Sequence, residues 1–504
     1  MTYSVLVFSP YVISSSIPPL APALLKSCLA KDRVESTVLD FNIDFHHWVT
    51  LDEQHQQLSV WMNTPHYQLD SSIFSKFQIF IESCLQKIKR LDCQVIGISA
   101  FSHVSQPFVE ELCYALKLRL PHMHIVLGGS GCSISHQQYS KTWGEIMFES
   151  NLVDCVVYGE AEHIIADIFK NKTTGIVSVP QISNDELLEI PIPDFDDYQW
   201  DLYGPIDSIQ LPITSTKGCV RKCSFCDVAH LWPKFRYRQG AKVADEIIQI
   251  YQKYGIVNFS FTDSLINGGL KPFREMNEQL STRLPNTIHY VGQFICRDQH
   301  SMPPNDFVLM AKGGCTRVSI GIESGSQAVR DHMKKGFSDE DLHYTAEQLL
   351  HNGISQSWNI IVGYPTETDD DWQLTIDLIK RYKKYHQSIK IYPVGVFQLL
   401  GNTPITTDDA LEHLAIENSS ANGYKEYNWV SANNPKNTLR HRAEQWQQLV
   451  ALIKHQDMVG ISAARLDEKT HVLLKQLEYY ESKSNRPIFK IHQQSFQEPA
   501  TFID

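Results

Sequence analysis

The chain has 504 residues, 42% of them hydrophobic and 20% charged, a composition that supports roughly two to four domains with their own cores and argues against disorder. Forty-five basic against 57 acidic residues give a formal net charge of -12, which excludes an extended nucleic-acid surface while leaving room for a local basic patch. The start, MTYSVLVFSP, lacks a signal-like basic region, and no stretch approaches the roughly 18 uninterrupted apolar residues of a membrane span, so a cytoplasmic protein is expected.

The first half of the chain alternates short apolar runs with helical patterns. Residues 4–8 (SVLVF) read as a strand ending at Ser9-Pro10, followed after Pro18-Pro19 by the helical LAPALLKSCLA. Further strands are expected at 37–40, 94–99, 124–129 and 154–159. The last three precede the helical patterns PFVEELCYALKLRL, an unassigned stretch, and EAEHIIADIF. Mostly continuous apolar strands between helices predict a parallel sheet covered on both faces, an α/β Rossmann-like, flavodoxin-like arrangement. Ligands of such sheets sit beyond the carboxyl ends of the strands, here Ser9 and Pro10, Ser99 to Ser105, Gly128 to Ser130, and Gly159 with Glu160. Residues 51–92 read as a helical insertion or long crossover, and His46 and His47 as ordinary polar residues on a helix. IPIPDFDDY at 190–198 combines prolines, aspartates and aromatics and reads as an extended linker.

From residue 209 the pattern becomes strand, cysteine loop, then repeated helix and strand. Strands are expected at QLPITST, NFSFTDS, HYVGQFICR, VSIGIES, QSWNIIVGYP and KIYPVGVFQLLGNTP. Six such units imply a partial (β/α)6 barrel with its chemistry at the carboxyl ends of the strands. Beyond residue 405, AEQWQQLVALIKHQDMV and EKTHVLLKQLEYYES have helical spacing and suggest a C-terminal helical cap. The aromatic run GYKEYNWV reads as packing, with a substrate pocket as the alternative. The expected domains are 1–189, a linker at 190–207, a barrel at 208–404 and a mainly helical region at 405–504.

Eleven cysteines with none after Cys315 do not form a disulfide framework. Cys28, Cys84, Cys93, Cys113, Cys132, Cys155, Cys296 and Cys315 read as buried small hydrophobes. Cys219, Cys223 and Cys226 differ, since they follow a C-x3-C-x2-C pattern on one loop. Three local thiolates can hold one face of a 4Fe-4S cluster and leave one iron open to a cofactor. A zinc knuckle is the competing reading, with His230 as the fourth ligand of a C-x2-C-x3-H set.

With Phe225 before its third cysteine, this loop resembles that of the radical S-adenosylmethionine enzymes, and the resemblance runs almost continuously from Thr214 to Pro404. It implies that S-adenosylmethionine binds the open iron and is cleaved by a low-potential electron, drawn from a donor such as flavodoxin or ferredoxin, to a 5'-deoxyadenosyl radical. It implies roles for further residues. Asp263, Ser264 and Leu265 fall where relatives line the methionine amino group, Glu323 in GIESGS where a residue contacts the ribose, and Val362 and Gly363 where backbone lies along adenine. Lys335 is a candidate for the methionine carboxylate and Arg297 for the substrate, each with solvated charge as the alternative. Asp263 and Glu323 could instead be helix caps or ion-pair members, and Gly363 a plain turn. Arg236 and Arg238 are expected to close the cysteine loop onto the barrel rather than meet substrate.

The N-terminal VLVFSP, GISAFS, VLGGSG and VVYGEAE resemble the cobalamin-binding-type domain that precedes many such barrels, so Ser9, Pro10, Ser99, Ser102, Gly128, Gly129, Gly159 and Glu160 are candidates to approach a corrin ring. No Asp-x-His-x-x-Gly motif follows the first strand. Either cobalamin is held without a histidine from that loop, or the domain has lost it. The expected function is a cobalamin-dependent radical methyltransferase acting on an unactivated carbon of a small molecule, lipid or peptide. The alternatives are a radical cyclase, coupling or rearrangement enzyme with a scaffold domain, and a non-catalytic cluster module.

Overall fold

Short aliphatic and β-branched runs build two six-stranded sheets. The computed structural model describes residues 3–10, 16–50, 58, 71–133, 135–136, 141–400, 403–416 and 429–483. The chain divides into two compact units, the first made chiefly of residues up to Pro212 with Tyr254–Asn258, the second of Ile213–Lys253 and Phe259–Gln494.

In the first unit, β1 (Tyr3–Phe8), β2 (Glu35–Asp40), β3 (Val95–Ser99), β4 (His124–Gly128), β5 (Cys155–Tyr158) and β6 (Gly175–Ser178) lie in the order β2-β1-β3-β4-β5-β6. Every pairing is parallel. Strands β3 and β4 are buried over all but their last residue, which is why they read as continuous apolar runs. One layer of the core is aromatic: Phe41, Phe45, Phe77, Phe80 and Phe108 pack with Val5, Ile96 and Ile125. The strand order changes direction between β1 and β3, the place where open α/β sheets leave a crevice at their carboxyl edge. Strand β6 was not expected. Its four residues alternate between half-buried and exposed at the sheet edge, so they lack the apolar run that marks the other strands.

The segment expected to be an extended linker is instead packed into the first unit, because its aromatic rings find partners there. Phe195 is fully buried, the Tyr198 hydroxyl donates to Pro19 O at 2.7 Å, and the Tyr203 hydroxyl donates to the Asp40 carboxylate. Tyr254 accepts from Phe195 N at 3.1 Å and donates to Asp196 at 2.8 Å. His46 and His47 sit on the helix Phe41–Val49, as expected, and His47 Nε2 bonds Leu202 O at 2.7 Å. The 51–92 insertion contains the helix Ser71–Lys89; 51–57 and 59–70 lie outside the described residues.

The second sheet contains all six expected strands: β7 (Gln210–Ile213), β8 (Asn258–Phe261), β9 (His289–Phe294), β10 (Cys315–Glu323), β11 (Ser355–Val362) and β12 (Ile389–Val396). They run in sequence order across the sheet, and the pairings from β9 to β12 are parallel. Helices Gly240–Tyr254, Leu270–Arg283, Pro304–Lys312, Asp339–His351 and Asp369–Arg381 alternate with them. The last two begin with capping boxes at Ser338 and Thr368, which satisfy helix N–H groups beside the strand ends. The chain after the helix Leu439–His455 returns to the outer strand, where Ile391 donates to Met458 O at 2.6 Å and accepts from Gly460 N at 2.8 Å. This contact covers an edge that would otherwise expose unpaired backbone. Of the aromatic run GYKEYNWV, residues 423–428 lie outside the described residues; Trp429 is fully buried against Phe397 and the Arg442 guanidinium, a packing role.

Gly129 and Gly175 both have positive φ, +99° and +104°, but a Cβ at Gly129 would lie 2.3 Å from Ala100 O, while at Gly175 nothing lies within 4 Å. Gly129→Ala should therefore cost about 2–4 kcal/mol and Gly175→Ala about 1–2, measured by denaturant unfolding of the two variants. Equal losses would contradict the close approach of β3 and β4.

Candidate active site

The cysteine loop leaves the carboxyl end of β7 and is fastened at its start by one buried acid. Asp263, just past β8, accepts from Ser215 N at 2.8 Å and from the Ser215 hydroxyl, and Thr216 Oγ1 donates to Leu265 O at 3.0 Å. Burial pushes the Asp263 carboxyl up to about 6, against the Ser215 and Thr216 hydrogen bonds that hold it down. Asp263 caps no helix: Gly269 occupies the N-cap of Leu270–Arg283. Ser264 is half-buried beside it.

Thr216 and Lys217 pair antiparallel with Tyr237 and Arg236, closing the loop as a hairpin. Arg238 donates to Thr214 O at 2.9 Å and to Glu246 at 2.6 Å, the closing role expected of it. Arg236 is buried with its guanidinium 5.6 Å from the Trp232 ring centroid. Ser224 pins the middle of the loop through three bonds, N to Met333 O at 3.0 Å, O from Ile405 N at 2.8 Å, and Oγ with the Tyr364 hydroxyl at 2.9 Å. Phe225 packs against the apolar cluster containing Ile361, Tyr364 and Phe397.

Between these anchors Cys219, Cys223 and Cys226 are half-buried and free of disulfides. Cys219 Sγ accepts from Arg221 N at 3.3 Å. Burial raises the Cys223 pKa, with Lys335 and Arg221 opposing and the charges of Cys219 and Glu323 reinforcing. Burial likewise pushes Cys226 up to about 11, with the Val228 amide opposing. The three sulfurs thus sense one another electrostatically on one loop, and metal binding there would release their protons. Their number, loop placement and partial exposure fit one face of an iron-sulfur cluster. Among the described residues no three Cys, His, Asp or Glu side chains converge as ligands for a single ion, and His230 is exposed on the short helix Val228–Leu231.

Glu323 ends β10 with φ +65°, a left-handed conformation rare outside glycine, next to a register shift between Gly321 and Glu323. Its Oε1 lies 3.1 Å from Lys335 Nζ, and both side chains are buried. Burial favours neutral Lys335, but Glu323 and then Cys223 hold its pKa above the ordinary value. Lys335 also stands 5.8 Å from the Phe225 ring centroid, so it is a buried paired ammonium and not a solvated charge. Glu323 caps no helix either, since Ser326 caps Gln327–His332.

Val362 is buried at the end of β11, and Gly363 follows with φ +79°. A Cβ on Gly363 would meet Arg442 Cγ and Cδ at 2.4 Å, so this glycine does more than turn the chain. Its N–H donates at 2.7 Å to Glu367, a fully buried residue that sequence reasoning did not single out. Ser324 Oγ also donates to Glu367, at 3.4 Å, so one carboxyl joins the ends of β10 and β11. Ser215, Ser224 and Tyr364 were missed as well. Arg297, past β9, donates through Nη2 to Asn267 O at 3.0 Å and Gly268 O at 3.1 Å.

At the carboxyl edge of the first sheet, most candidates serve the backbone. Ser9 donates through both N and Oγ to Ser99 O, Ser102 accepts from Val104 N, and Glu160 accepts from Ile182 N at 2.7 Å. A Cβ on Gly159 would lie 2.3 Å from Val179 O, whereas one on Gly128 would meet only Val157 O at 3.8 Å. The ends of β1, β3 and β4 thus carry the small residues Ser9, Pro10, Ser99, Ala100, Gly128 and Gly129, of which Ser9, Pro10 and Ala100 are buried and Ser99, Gly128 and Gly129 are not.

Residues 213–379 match the family described as the Radical SAM superfamily. The chain is 23% identical over 384 residues to the anaerobic magnesium-protoporphyrin IX monomethyl ester cyclase of Rubrivivax gelatinosus, covering 68% of this chain and 67% of that protein. It is 23% identical over 342 residues to the cytidylyl-2-hydroxyethylphosphonate methyltransferase of Streptomyces wedmorensis, covering 58% of this chain and 62% of that protein, less than two thirds of its length. Among solved structures, the radical S-adenosylmethionine methyltransferase TsrM from Kitasatospora setae superposes with a TM-score of 0.62 at 15% identity, covering 92% of both chains. The cobalamin-dependent S-adenosylmethionine radical enzyme OxsB superposes with 0.63 at 14% identity over 96% of this chain and 71% of that one. At these identities the two structures speak for the fold alone, a Rossmann-like parallel sheet followed by a partial barrel.

Burial pushes the Glu367 carboxyl up to about 8 from 4.5, against the Gly363 and Ser324 hydrogen bonds. The raised value means that the protonated acid stabilises the fold fully below about 4.5 and that this contribution is lost as pH rises through 8, by at most about 1.4 kcal/mol per pH unit. In thermal unfolding, the stability of the wild type relative to Glu367→Gln should therefore fall between pH 5 and 9. A constant difference would contradict the buried acid.

Proposed function

We propose that this chain, which belongs to the radical SAM superfamily through its domain at residues 213–379, is a cobalamin-dependent radical methyltransferase acting on an unactivated carbon of a small molecule. The observation that carries the reading is the shared edge: three free cysteines leave β7, and Asp263, the Glu323–Lys335 pair and Gly363 leave β8, β10 and β11 at the same carboxyl end. A cluster with S-adenosylmethionine supplies, when bound, one-electron reduction and a carbon-centred radical, and cobalamin a transferable methyl group.

The chain's own residues supply positioning. Cys219, Cys223 and Cys226 hold the cluster, while Asp263 and Ser224 fix their loop. Lys335 offers its ammonium to the methionine carboxylate, and Glu323, held by Lys335, offers its free oxygen to the ribose. The Val362–Gly363 backbone lies along adenine, kept in place by Glu367 on one side and Arg442 on the other. Phe225 and its apolar neighbours keep water from the loop. Residues 208–404 carry this barrel, followed by the helices Leu439–His455 and Ala463–Lys483, and a small acidic carrier such as flavodoxin or ferredoxin delivers the electron. On the first sheet, the strand ends at Ser99, Gly128 and Gly129, which are not buried, receive cobalamin.

A second reading is favoured by the side chains of Ser9, Ser102 and Glu160, all engaged with backbone. It makes the first unit a scaffold and the reaction a radical cyclisation or rearrangement, in keeping with the cyclase relative.

Anaerobically reconstituted protein should show iron-sulfur absorption that Cys223→Ala abolishes, and dithionite with S-adenosylmethionine should yield 5'-deoxyadenosine. Unchanged absorption in the variant would sink the cluster assignment. Retention of cobalamin through gel filtration supports the methyltransferase; clean failure to retain it would leave the cyclisation reading. Lys335→Gln should weaken S-adenosylmethionine binding about tenfold or more, the size expected for a buried charge-assisted contact, with the absorption retained. An unchanged affinity would remove Lys335 from the site.

A further inference from the structure

We propose that the exposed face of the cysteine hairpin is the docking surface for a small acidic protein that carries a low-potential one-electron centre. The inference rests on the reading of this loop as a cluster site and adds where its electron enters.

The stretch from Lys217 to Arg238 differs in charge from the rest of the chain. It holds Lys217, Arg221, Lys222, Lys234, Arg236 and Arg238 against one acid, Asp227, within a chain of net charge -12. Three of these cations serve the fold. Arg238 is paired with Glu246, while Lys217 and Arg236 stand 5.8 and 5.6 Å from the Trp232 ring centroid. Lys222 and Lys234 are exposed.

The same stretch exposes apolar side chains. Val220, Leu231 and Tyr237 are 38%, 56% and 39% exposed. Among the described residues of the second unit, the other large hydrophobic side chains exposed to this degree are Leu374, Val394 and Tyr479, so half of them fall within this one hairpin. Apolar residues exposed singly are ordinary, whereas several together beside charged ones mark a contact surface. Backbone contacts bring the stretch together. Thr216 pairs with Tyr237, and Gly218, at φ +83°, lies so close to the returning chain that a Cβ would stand 2.8 Å from Lys234 O and 3.2 Å from Trp232 Cβ. The face therefore adjoins Cys219, the next residue.

Electron transfer falls off steeply with distance, so a donor must dock beside the loop that holds the acceptor. An acidic carrier is repelled by the chain as a whole and drawn to this basic stretch, which orients it. A small apolar contact ringed by lysines suits a partner that must leave after each transfer. In the step itself the carrier loses one electron and the cluster gains it, and no bond forms or breaks.

Calorimetry would measure binding of a flavodoxin and of a bacterial-type ferredoxin, both acidic, to the reconstituted full chain. The variants are Leu231→Ser, Lys234→Glu and Lys234→Arg, which keeps the charge. Lys383→Glu is the control, an exposed lysine ahead of β12 and so at the opposite edge of the sheet. The expected result is binding of at least one carrier that weakens with added salt. It should fall about three- to tenfold in Leu231→Ser and Lys234→Glu and hold in Lys234→Arg and the control. Formation of 5'-deoxyadenosine driven by limiting reduced carrier should fall in parallel, while that driven by dithionite, which needs no docking, stays within about twofold. No binding of either carrier, equal binding in all variants, or an equal fall with dithionite would overturn the proposal. So would an RNA oligonucleotide that binds in place of the carriers and responds to the same variants. Carrier binding that responds to them in protein that yields no 5'-deoxyadenosine with dithionite would leave the docking face standing while the proposed radical function fails.

Discussion

The carboxylate of Asp263 decides where the cysteine loop begins. Ordering such a loop costs on the order of 1–2 kcal/mol per residue. Ser215 places both its amide and its hydroxyl on that buried acid, Arg238 ties Thr214 and Ser215 to Glu246, and Ser224 fastens the middle of the loop to Met333, Ile405 and Tyr364. These bonds come from β8, from the helix after the hairpin, and from segments near β10 and β11. The loop is therefore held by the barrel around it and inherits the barrel's rigidity, which a site that must position a reactive species requires.

The same edge stores conformational strain. Glu323 is left-handed although it has a side chain, and its carboxylate is turned onto a buried lysine. Non-glycine residues at such angles cost about 1–3 kcal/mol and persist where the surroundings over-determine them. Here the surroundings are the register shift beside Gly321 and the link from Ser324 through Glu367 to Gly363. Glu367 couples two strand ends that carry different proposed contacts, so a disturbance at one is transmitted to the other.

All six barrel strands and the parallel order of the first sheet were legible in the sequence, because apolar runs are local signals, whereas Asp263, Glu323, Lys335 and Gly363 were singled out through the family resemblance of their motifs. The Glu323–Lys335 ion pair was not, since it joins residues that the sequence separates by a helix. Glu367 was hidden in GYPTET, where it reads as one more acid before a helix. Strand β6 escaped because it is short and half-exposed. The stretch around Phe195, Tyr198 and Tyr203 read as a linker from its prolines and aspartates, while its aromatic rings decided its burial.

In the proposed site the loop of Cys219, Cys223 and Cys226 carries a cluster with one iron open to S-adenosylmethionine. Electron paramagnetic resonance of the dithionite-reduced, reconstituted protein tests it most directly. A cluster held by these three cysteines gives a reduced 4Fe-4S signal that changes in shape and g-values when S-adenosylmethionine is added. A signal indifferent to S-adenosylmethionine, or a protein that takes up a single zinc ion in place of iron, would contradict it.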